Sequence, residues 1–188
     1  SHRSRQIHTY NLGIVARMIE TDIIAYIQII KGKINADMDK LSKLLWDNYH
    51  NRLSDNVSSI RYEDSFCPAD PLIDEIIDEI QTNFEKLTGE RIYNTSYWGH
   101  IHEKNMSTNT HNHKGSYVSA VVYAQTPKDC GQIVFLPKLN PYENSTYKSK
   151  YVAKKGTYFM FPSYLDHFVT RNNSDDIRMS LSLNFNKS

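Results

Sequence analysis

The sequence predicts an α+β fold in which N-terminal helices buttress a sheet sandwich or barrel. Two observations predict this class. Apolar residues recur at helical spacing mainly before Gly89, whereas short β-branched and aromatic segments separated by turn residues fill the rest of the chain. The last of these segments, residues 177–185, alternates between apolar and polar residues, as a strand with two different faces does. We expect the 188 residues to form a single domain, helical over about residues 1–89 and β-rich over about residues 90–188.

The first two predicted helices lie before residue 54. One is predicted from apolar residues at helical spacing, although its many β-branched side chains are less favourable in a helix; they are Leu12, Val15, Ile19, Ile23, Ile27 and Ile30. Gly32 ends this pattern. The second helix begins after residues 35–37, which can cap it, and continues to Tyr49.

The third helix follows a predicted connection over residues 54–70. Asp70 is its expected N-cap, Pro71 occupies its first position, and Gly89 ends it. The predicted apolar face of this helix consists of Leu72, Ile73, Ile76, Ile77, Ile80, Phe84 and Leu87.

The strands are predicted from segments rich in β-branched and aromatic residues. They cover residues 91–101, 117–124, 132–136, 151–152, 156–161, 168–169 and 177–185. The polar segments 103–110 and 140–150 are predicted to be loops. Within them, residues 104–109 and 141–150 are predicted to border the mouth of any pocket, where specificity usually resides.

Composition excludes several classes of function. The net charge of +1 gives no reason to expect nucleic acid as a partner. No window approaches the roughly 20 apolar residues of a membrane span. Cys67 and Cys130 form no C-x-x-C motif and are too few for a disulfide scaffold, so we expect a reducing, cytoplasmic location. The abundance of Asn, Lys, Ile and Tyr is typical of AT-rich genomes, such as those of phages or marine microbes, and would place a phage-encoded protein in the host cytoplasm.

A pair of histidines, His111 and His113, forms the most informative motif. Two histidines at positions i and i+2 of an extended segment point to the same side of the backbone and can enter one cavity. Neutral imidazole is a common ligand of borderline metals. By itself, the pair is more typical of surface histidines in the polar turn over residues 109–115.

A third histidine, His167, favours the metal interpretation. It follows a strand and a turn and opens another apolar strand, and in a jelly roll this turn returns the histidine to the side of the first pair. Asp166 is the nearest acid. As the immediate neighbour of His167 on an extended chain, it is expected to point away, so we exclude it as a ligand.

A second i, i+2 pair, His100 and His102, lies on the strand before the loop, with Trp98 two residues earlier. Alternation places all three side chains on one face of the sheet. They can line the pocket and bind substrate, or form an ordinary aromatic and polar sheet face.

The last predicted strand carries Arg178 and Ser180 on its polar face. Such a face can simply be hydrated. It can also line the interior of a barrel, where the planar guanidinium makes two charge-assisted hydrogen bonds to a carboxylate and the serine adds a hydroxyl donor.

Residues 98–186 resemble the Fe(II)/2-oxoglutarate-dependent oxygenase superfamily, and are most similar to its prolyl-hydroxylase-like, phage and marine-bacterial branches. Members carry His-x-Asp or a variant, a strand ending in Tyr, a distal His, and Arg-x-Ser or Arg alone some ten residues later. The corresponding residues here are His111-Asn112-His113, Tyr123, His167 and Arg178-Met179-Ser180.

The resemblance implies a double-stranded β-helix (jelly-roll, cupin-like) with buttressing helices, and a dioxygenase that hydroxylates a protein side chain or a small molecule. It implies that His111, His113 and His167 hold Fe(II), and that 2-oxoglutarate binds the iron through its keto-acid end. The far carboxylate then meets Arg178, with Ser180 and Tyr123 adding hydrogen bonds. O₂ is consumed, succinate and CO₂ are released, and ascorbate is a further candidate cofactor. The prime substrate and the oligomeric state are not encoded in these motifs.

One residue departs from the family pattern, because His113 stands where the usual third ligand is a carboxylate. Either all three histidines bind iron, or only two do and water fills the gap. The alternative function is a cupin-type metal-binding isomerase or dioxygenase, or a non-enzymatic binding module without 2-oxoglutarate. Gly156 and Pro162 have the spacing of a cupin motif, but residues 114–125 lack its glutamate and Arg178 has no role in it.

Overall fold

A computed structural model describes residues 6–8, 19–21, 27–53, 69–137 and 149–188. In chain order the elements are β1 (Gln6–His8), β2 (Ile19–Thr21), β3 (Ile30–Lys33), α1 (Met38–Leu53), α2 (Pro71–Thr88), β4 (Ile92–His102), β5 (Thr108–His111), β6 (Val118–Gln125), β7 (Gln132–Phe135), β8 (Ser149–Val152), β9 (Thr157–Pro162), β10 (His167–Val169) and β11 (Arg178–Lys187). None of the described helices is long and apolar enough to cross a membrane.

Two antiparallel sheets form the body of the protein. The larger has the strand order β3-β9-β6-β11-β4 and the smaller has the order β5-β10-β7-β8, while β1 and β2 pair separately. Sequence neighbours are often not sheet neighbours: β10 lies between β5 and β7, and β11 lies between β6 and β4. The predicted double-stranded β-helix is confirmed, and this interleaving brings residues far apart in sequence to the same face.

Each face of the larger sheet packs on a different core. The outer face packs against α1 and α2 in a cluster that includes Leu41, Ile76 and Leu181. The inner face packs against the smaller sheet, where Phe161 and Phe135 have ring centroids 4.8 Å apart. Apolar residues alternate between the two cores along β6, which explains why this strand is nearly continuously buried.

Helices α1 and α2 begin as predicted. The Asp37 carboxylate accepts hydrogen bonds from the backbone N–H groups of Asp39 and Lys40, at 2.9 and 3.0 Å. The carboxylate of Asp70 likewise caps α2 by accepting from the N–H of Leu72 at 2.9 Å. Gly89 ends α2 in the left-handed conformation, with φ of 75°.

One residue of the predicted α2 face is exposed. Six of its seven apolar residues are buried, but Leu87 is 58% exposed. It lies in the last turn of the helix, beside an open groove that Tyr117 and Tyr164 also line, so no core side chains cover it.

The helix predicted between Leu12 and Ile30 is wrong where the structure describes it. Residues 19–21 and 30–33 are strands, residues 27–29 are not helical, and the others lie outside the described residues. β3 pairs with β9, and Ile30, the β-branched residue of β3, suits that extended edge. Gly32 permits the pairing, because a Cβ there would lie 2.3 Å from the ring of Tyr158.

The loop predictions have mixed outcomes. β5 begins within the segment 103–110, because Thr108 of β5 pairs in register with Val169 of β10. The predicted connection 54–70 lies outside the described residues except for residues 69–70, and the predicted loop 140–150 does so except for residues 149–150, which belong to β8.

Candidate metal centre and acid-binding pocket

The smaller sheet brings the three predicted histidines together. His167 on β10 is the register partner of His111 on β5, so the distal histidine lies beside the His-x-His pair. The ring centroids of His111 and His167 are 4.3 Å apart, and that of His113 is 5.1 Å from each. One ligand nitrogen from each residue lies within 4.8 Å of the others, so the three could hold one metal ion.

Backbone hydrogen bonds orient two of these rings. Nδ1–H of His111 donates to the carbonyl of Asn109 at 2.8 Å, and Nδ1–H of His167 donates to that of Leu165 at 2.9 Å. A carbonyl only accepts, so each Nε2 keeps its lone pair for a metal. His113 is held through its backbone, because its N–H donates to the carbonyl of Ser163 at 2.8 Å.

The electrostatics keep the imidazoles of His113 and His167 neutral. Burial, followed by the neighbouring His111 and His113, lowers the pKa of His167 to about 3, against a raising contribution from its backbone hydrogen bond. Burial, followed by His111 and His100, lowers the pKa of His113 to about 4. Neutral imidazole is the ligand form of histidine, so these residues are ready to bind metal at neutral pH.

No described carboxylate joins the cluster of histidines. The Asp166 carboxylate accepts a hydrogen bond from the Asn112 amide at 2.6 Å and is not part of the cluster. Asn112 lies between the two histidines of the pair and Asp166 precedes the third. Their hydrogen bond therefore joins the two histidine-bearing segments.

Arg178 is a buried cation with unused hydrogen-bonding capacity. Its side chain is 1% exposed, and Nη1–H donates to the carbonyl of Cys130 at 3.1 Å. Nε is buried and has no hydrogen-bond partner among the described residues. Burial lowers the pKa of Arg178, although the guanidinium remains charged at neutral pH. A buried, incompletely satisfied guanidinium is suited to an anionic ligand.

The other two predicted acid-binding residues lie beside Arg178. Ser180 is its neighbour on the inner face of β11, and Tyr123 on β6 is the register partner of Ser180. Both are nearly fully buried, and burial raises the pKa of the Tyr123 hydroxyl, which therefore stays protonated as a donor. One cavity is lined by the three histidines and by Arg178, Ser180 and Tyr123.

Trp98, His100 and His102 line the same cavity, as alternation along β4 allowed. Nε1–H of Trp98 donates to Nε2 of His100 at 2.7 Å, and Nε2 of His102 is hydrogen-bonded to Oγ1 of Thr108 at 2.8 Å. Burial, followed by the charge of Arg178, lowers the pKa of His100 to about 3 and that of His102 to about 2.

Sequence reasoning missed Asn172, which supports this end of the cavity. It is fully buried, and its amide N–H groups donate to the carbonyls of His102 and Asp176, at 2.8 and 2.9 Å. The backbone carbonyl of Asn172 accepts a hydrogen bond from the backbone N–H of Asn105 at 2.7 Å. Asn172 thus fixes the turn after β4. Its only signal in the sequence is a run of turn-forming residues over 172–176.

Solved structures share this fold at low identity. A prolyl-4-hydroxylase from Pseudomonas putida is 15% identical with a TM-score of 0.56, over 85% of this chain and 88% of that one. The epimerase SnoN from nogalamycin biosynthesis, in complex with Fe³⁺, α-ketoglutarate and nogalamycin RO, is 13% identical with a TM-score of 0.61, over 84% and 78%.

A 2OG-Fe(II) oxygenase family oxidoreductase from Burkholderia pseudomallei is 15% identical with a TM-score of 0.52, and the match covers 64% of this chain and 61% of that chain. No curated protein matches the chain. A phage or marine-bacterial source stays a prediction.

Residues 96–184 match the family described as "Putative 2OG-Fe(II) oxygenase", and they include both the histidine cluster and Arg178. Over this region the chain is similar to the 2-oxoglutarate–Fe(II) oxygenases, as its motifs predicted.

Proposed function

We propose that this protein is an Fe(II)- and 2-oxoglutarate-dependent dioxygenase that hydroxylates a protein side chain or a small molecule. In this proposal His111, His113 and His167 hold the iron, and Arg178 binds the far carboxylate of 2-oxoglutarate. The observation that carries it is the shared cavity, which has a cluster of three imidazoles and a buried arginine with an unpartnered Nε.

The donor set fits a divalent first-row metal. Three imidazoles are ligands that suit iron, and two of them have a fixed tautomer with Nε2 available. Three protein ligands leave coordination positions open for a chelating acid and for O₂. The iron, when bound, couples the reduction of O₂ to the decarboxylation of 2-oxoglutarate and the oxidation of a substrate, with succinate and CO₂ as products.

The other end of the cavity fits a carboxylate. The Nε–H of Arg178 is a buried donor without a partner, and the hydroxyls of Ser180 and Tyr123 lie on the same inner face. These groups would bind and orient the acid so that its keto-acid end faces the histidines. Their burial excludes water from the acid and strengthens its charge-assisted hydrogen bonds.

No observation favours the alternative cupin-type isomerase or binding module. A buried arginine facing the histidine cluster has no role in that function, whereas the proposed function uses it.

Anaerobic titration with Fe(II), followed by 2-oxoglutarate, tests the proposal. We expect about one Fe(II) per chain. 2-Oxoglutarate is expected to raise the melting temperature further only when the metal is present, because a ligand that binds the folded state stabilises it. Slow succinate formation without a prime substrate would support turnover. Metal binding without any effect of 2-oxoglutarate would contradict the proposal and favour the cupin-type alternative.

A further inference from the structure

The hydrogen bond between Trp98 and His100 determines which nitrogen of His100 carries a proton. Nε1–H of Trp98 donates to Nε2 of His100 at 2.7 Å. An indole nitrogen only donates, so Nε2 must be an acceptor and the proton of the neutral imidazole lies on Nδ1. The hydrogen bond also holds the ring in one orientation. His100 therefore presents a single N–H donor, and among the described residues none accepts a hydrogen bond from it.

The strand register places this donor beside the acid-binding residues. Ser180 on β11 is the register partner of Tyr123 on β6 and of His100 on β4. Directly opposed residues of antiparallel strands share a face, and all three line the cavity. Tyr123, Ser180 and His100 thus form one row of donors across three adjacent strands. Arg178 lies on the same face of β11, two residues before Ser180.

His102 lies outside this row. Its register partner is Arg178 rather than Ser180, and its Nε2 is engaged by the hydroxyl of Thr108 at 2.8 Å. The other histidines of the cavity form the candidate metal cluster. Among the described histidines, His100 is therefore the one whose N–H completes the row.

We propose that Nδ1–H of His100 binds the carboxylate held by Arg178, and that Trp98 is a positioning residue that keeps this N–H directed at it. The inference rests on the proposed function and extends its acid-binding site. A carboxylate has about four lone-pair sites, so a bidentate guanidinium leaves sites that Ser180 and His100 can fill. The tautomer decides whether the contact is attractive or repulsive. If the proton were on Nε2, Nδ1 would present a lone pair to the carboxylate.

The tautomer is measurable without metal or substrate. In ¹⁵N-labelled, metal-free protein at neutral pH, long-range imidazole correlations should show His100 protonated at Nδ1, with the signal assigned by its loss in His100→Phe. Trp98→Phe, which keeps an aromatic ring but removes the N–H, should release His100 into a mixture of tautomers. Trp46→Phe is the matched control, since Trp46 packs on the outer core. A wild-type His100 protonated at Nε2 would overturn the proposal.

Binding of 2-oxoglutarate tests the contact itself. Calorimetry on the anaerobic Fe(II)-loaded protein should show an affinity lower by roughly tenfold to a hundredfold in His100→Phe, the loss expected for one hydrogen bond to a charged group. His100→Asn should recover part of it, because its amide N–H superimposes on Nδ1. Trp98→Phe should weaken binding less than His100→Phe does. The affinity for Fe(II) should stay unchanged in all three variants.

The outcomes separate this inference from the proposed function. Tyr93→Phe is the control on β4, because Tyr93 is 48% exposed and does not line the cavity. If His100→Phe bound 2-oxoglutarate with the affinity of the wild-type protein, the role of His100 would be overturned and the proposed function would stand. A wild-type protein that binds Fe(II) but not 2-oxoglutarate would overturn the proposed function and this role together.

Discussion

Replacing Arg178 with alanine should raise the 2-oxoglutarate requirement steeply while leaving Fe(II) binding nearly intact. Arg178 is 1% exposed, so its contact with a carboxylate would be shielded from water. Removing one partner of a buried ion pair leaves the other charge unpaired, at a cost of about 3–5 kcal/mol. The half-saturating concentration of 2-oxoglutarate should therefore rise by roughly two to four powers of ten.

The assay is succinate formation as a function of 2-oxoglutarate concentration, with saturating Fe(II) and with ascorbate as reductant. Arg178→Lys should rescue binding only in part, because an ammonium cannot reproduce the planar fork. Arg171→Ala is the matched control, since Arg171 is exposed and outside the cavity. An unchanged half-saturating concentration in Arg178→Ala would refute the reasoning, because the acid would then bind elsewhere.

A second substitution separates loss of the ligand contact from loss of the fold. Arg178→Met nearly fills the same space and removes a buried cation whose Nε has no partner. Replacing buried charges with apolar residues is often neutral or stabilising. The melting temperature of the metal-free protein should thus be maintained or raised, while stabilisation by 2-oxoglutarate disappears. A large drop in melting temperature without ligand would show instead that the arginine is structural.

The remaining predictions concern the metal, pH and the sheet edge. His111→Ala and His167→Ala should abolish Fe(II) binding in anaerobic titrations, whereas normal binding by His113→Ala would establish a two-histidine site. Metal-free protein should lose stability as pH falls from about 6.5 towards 3, measured by urea unfolding. Four cavity imidazoles have a pKa lowered to between about 2 and about 4, so in this range the unfolded chain binds more protons than the native one. Each contributes a slope of up to about 1.4 kcal/mol per pH unit, and a flat profile would contradict those pKa values. Gly32→Ala should lower the free energy of unfolding by about 1–3 kcal/mol because its Cβ would meet the ring of Tyr158, and unaltered unfolding would show that the edge strand can shift.

Local patterns were sufficient for α2 and β11. The start of α2 depends on a capping aspartate and a proline adjacent in sequence, and both act through contacts within one turn. In β11 the alternation of residue types alone determined that Arg178 and Ser180 would share a face. That this face is the interior depends on the helices covering the other side, and the strand pattern by itself left this open.

Non-local pairing explains what the sequence did not predict. Ile30 pairs with Met160, so the strand β3 is stabilised by a partner some 130 residues away and no local pattern distinguishes it from a helix. The role of Asn172 has the same origin, because its amide acts on the carbonyl of His102, on a distant strand. For His100, alternation predicted the face, but the direction of its N–H depends on a side-chain hydrogen bond that only the fold positions.

On the proposed function, both ends of the cavity would carry positive charge. This relates His113, which stands at the position of the usual carboxylate, to the acid-binding end. With a histidine at the position of the usual carboxylate, a bound Fe(II) would keep its full double charge among neutral ligands. The cation of Arg178 already contributes to lowering the pKa values of His100 and His102. A dianionic acid would balance the charge of Arg178 at one end and half the charge of the metal at the other, so on the proposed function we expect metal and acid to bind cooperatively. By linkage, each would raise the affinity of the other by the same factor. On the proposed function, a three-histidine site would therefore depend more on its organic acid than one that carries its own carboxylate.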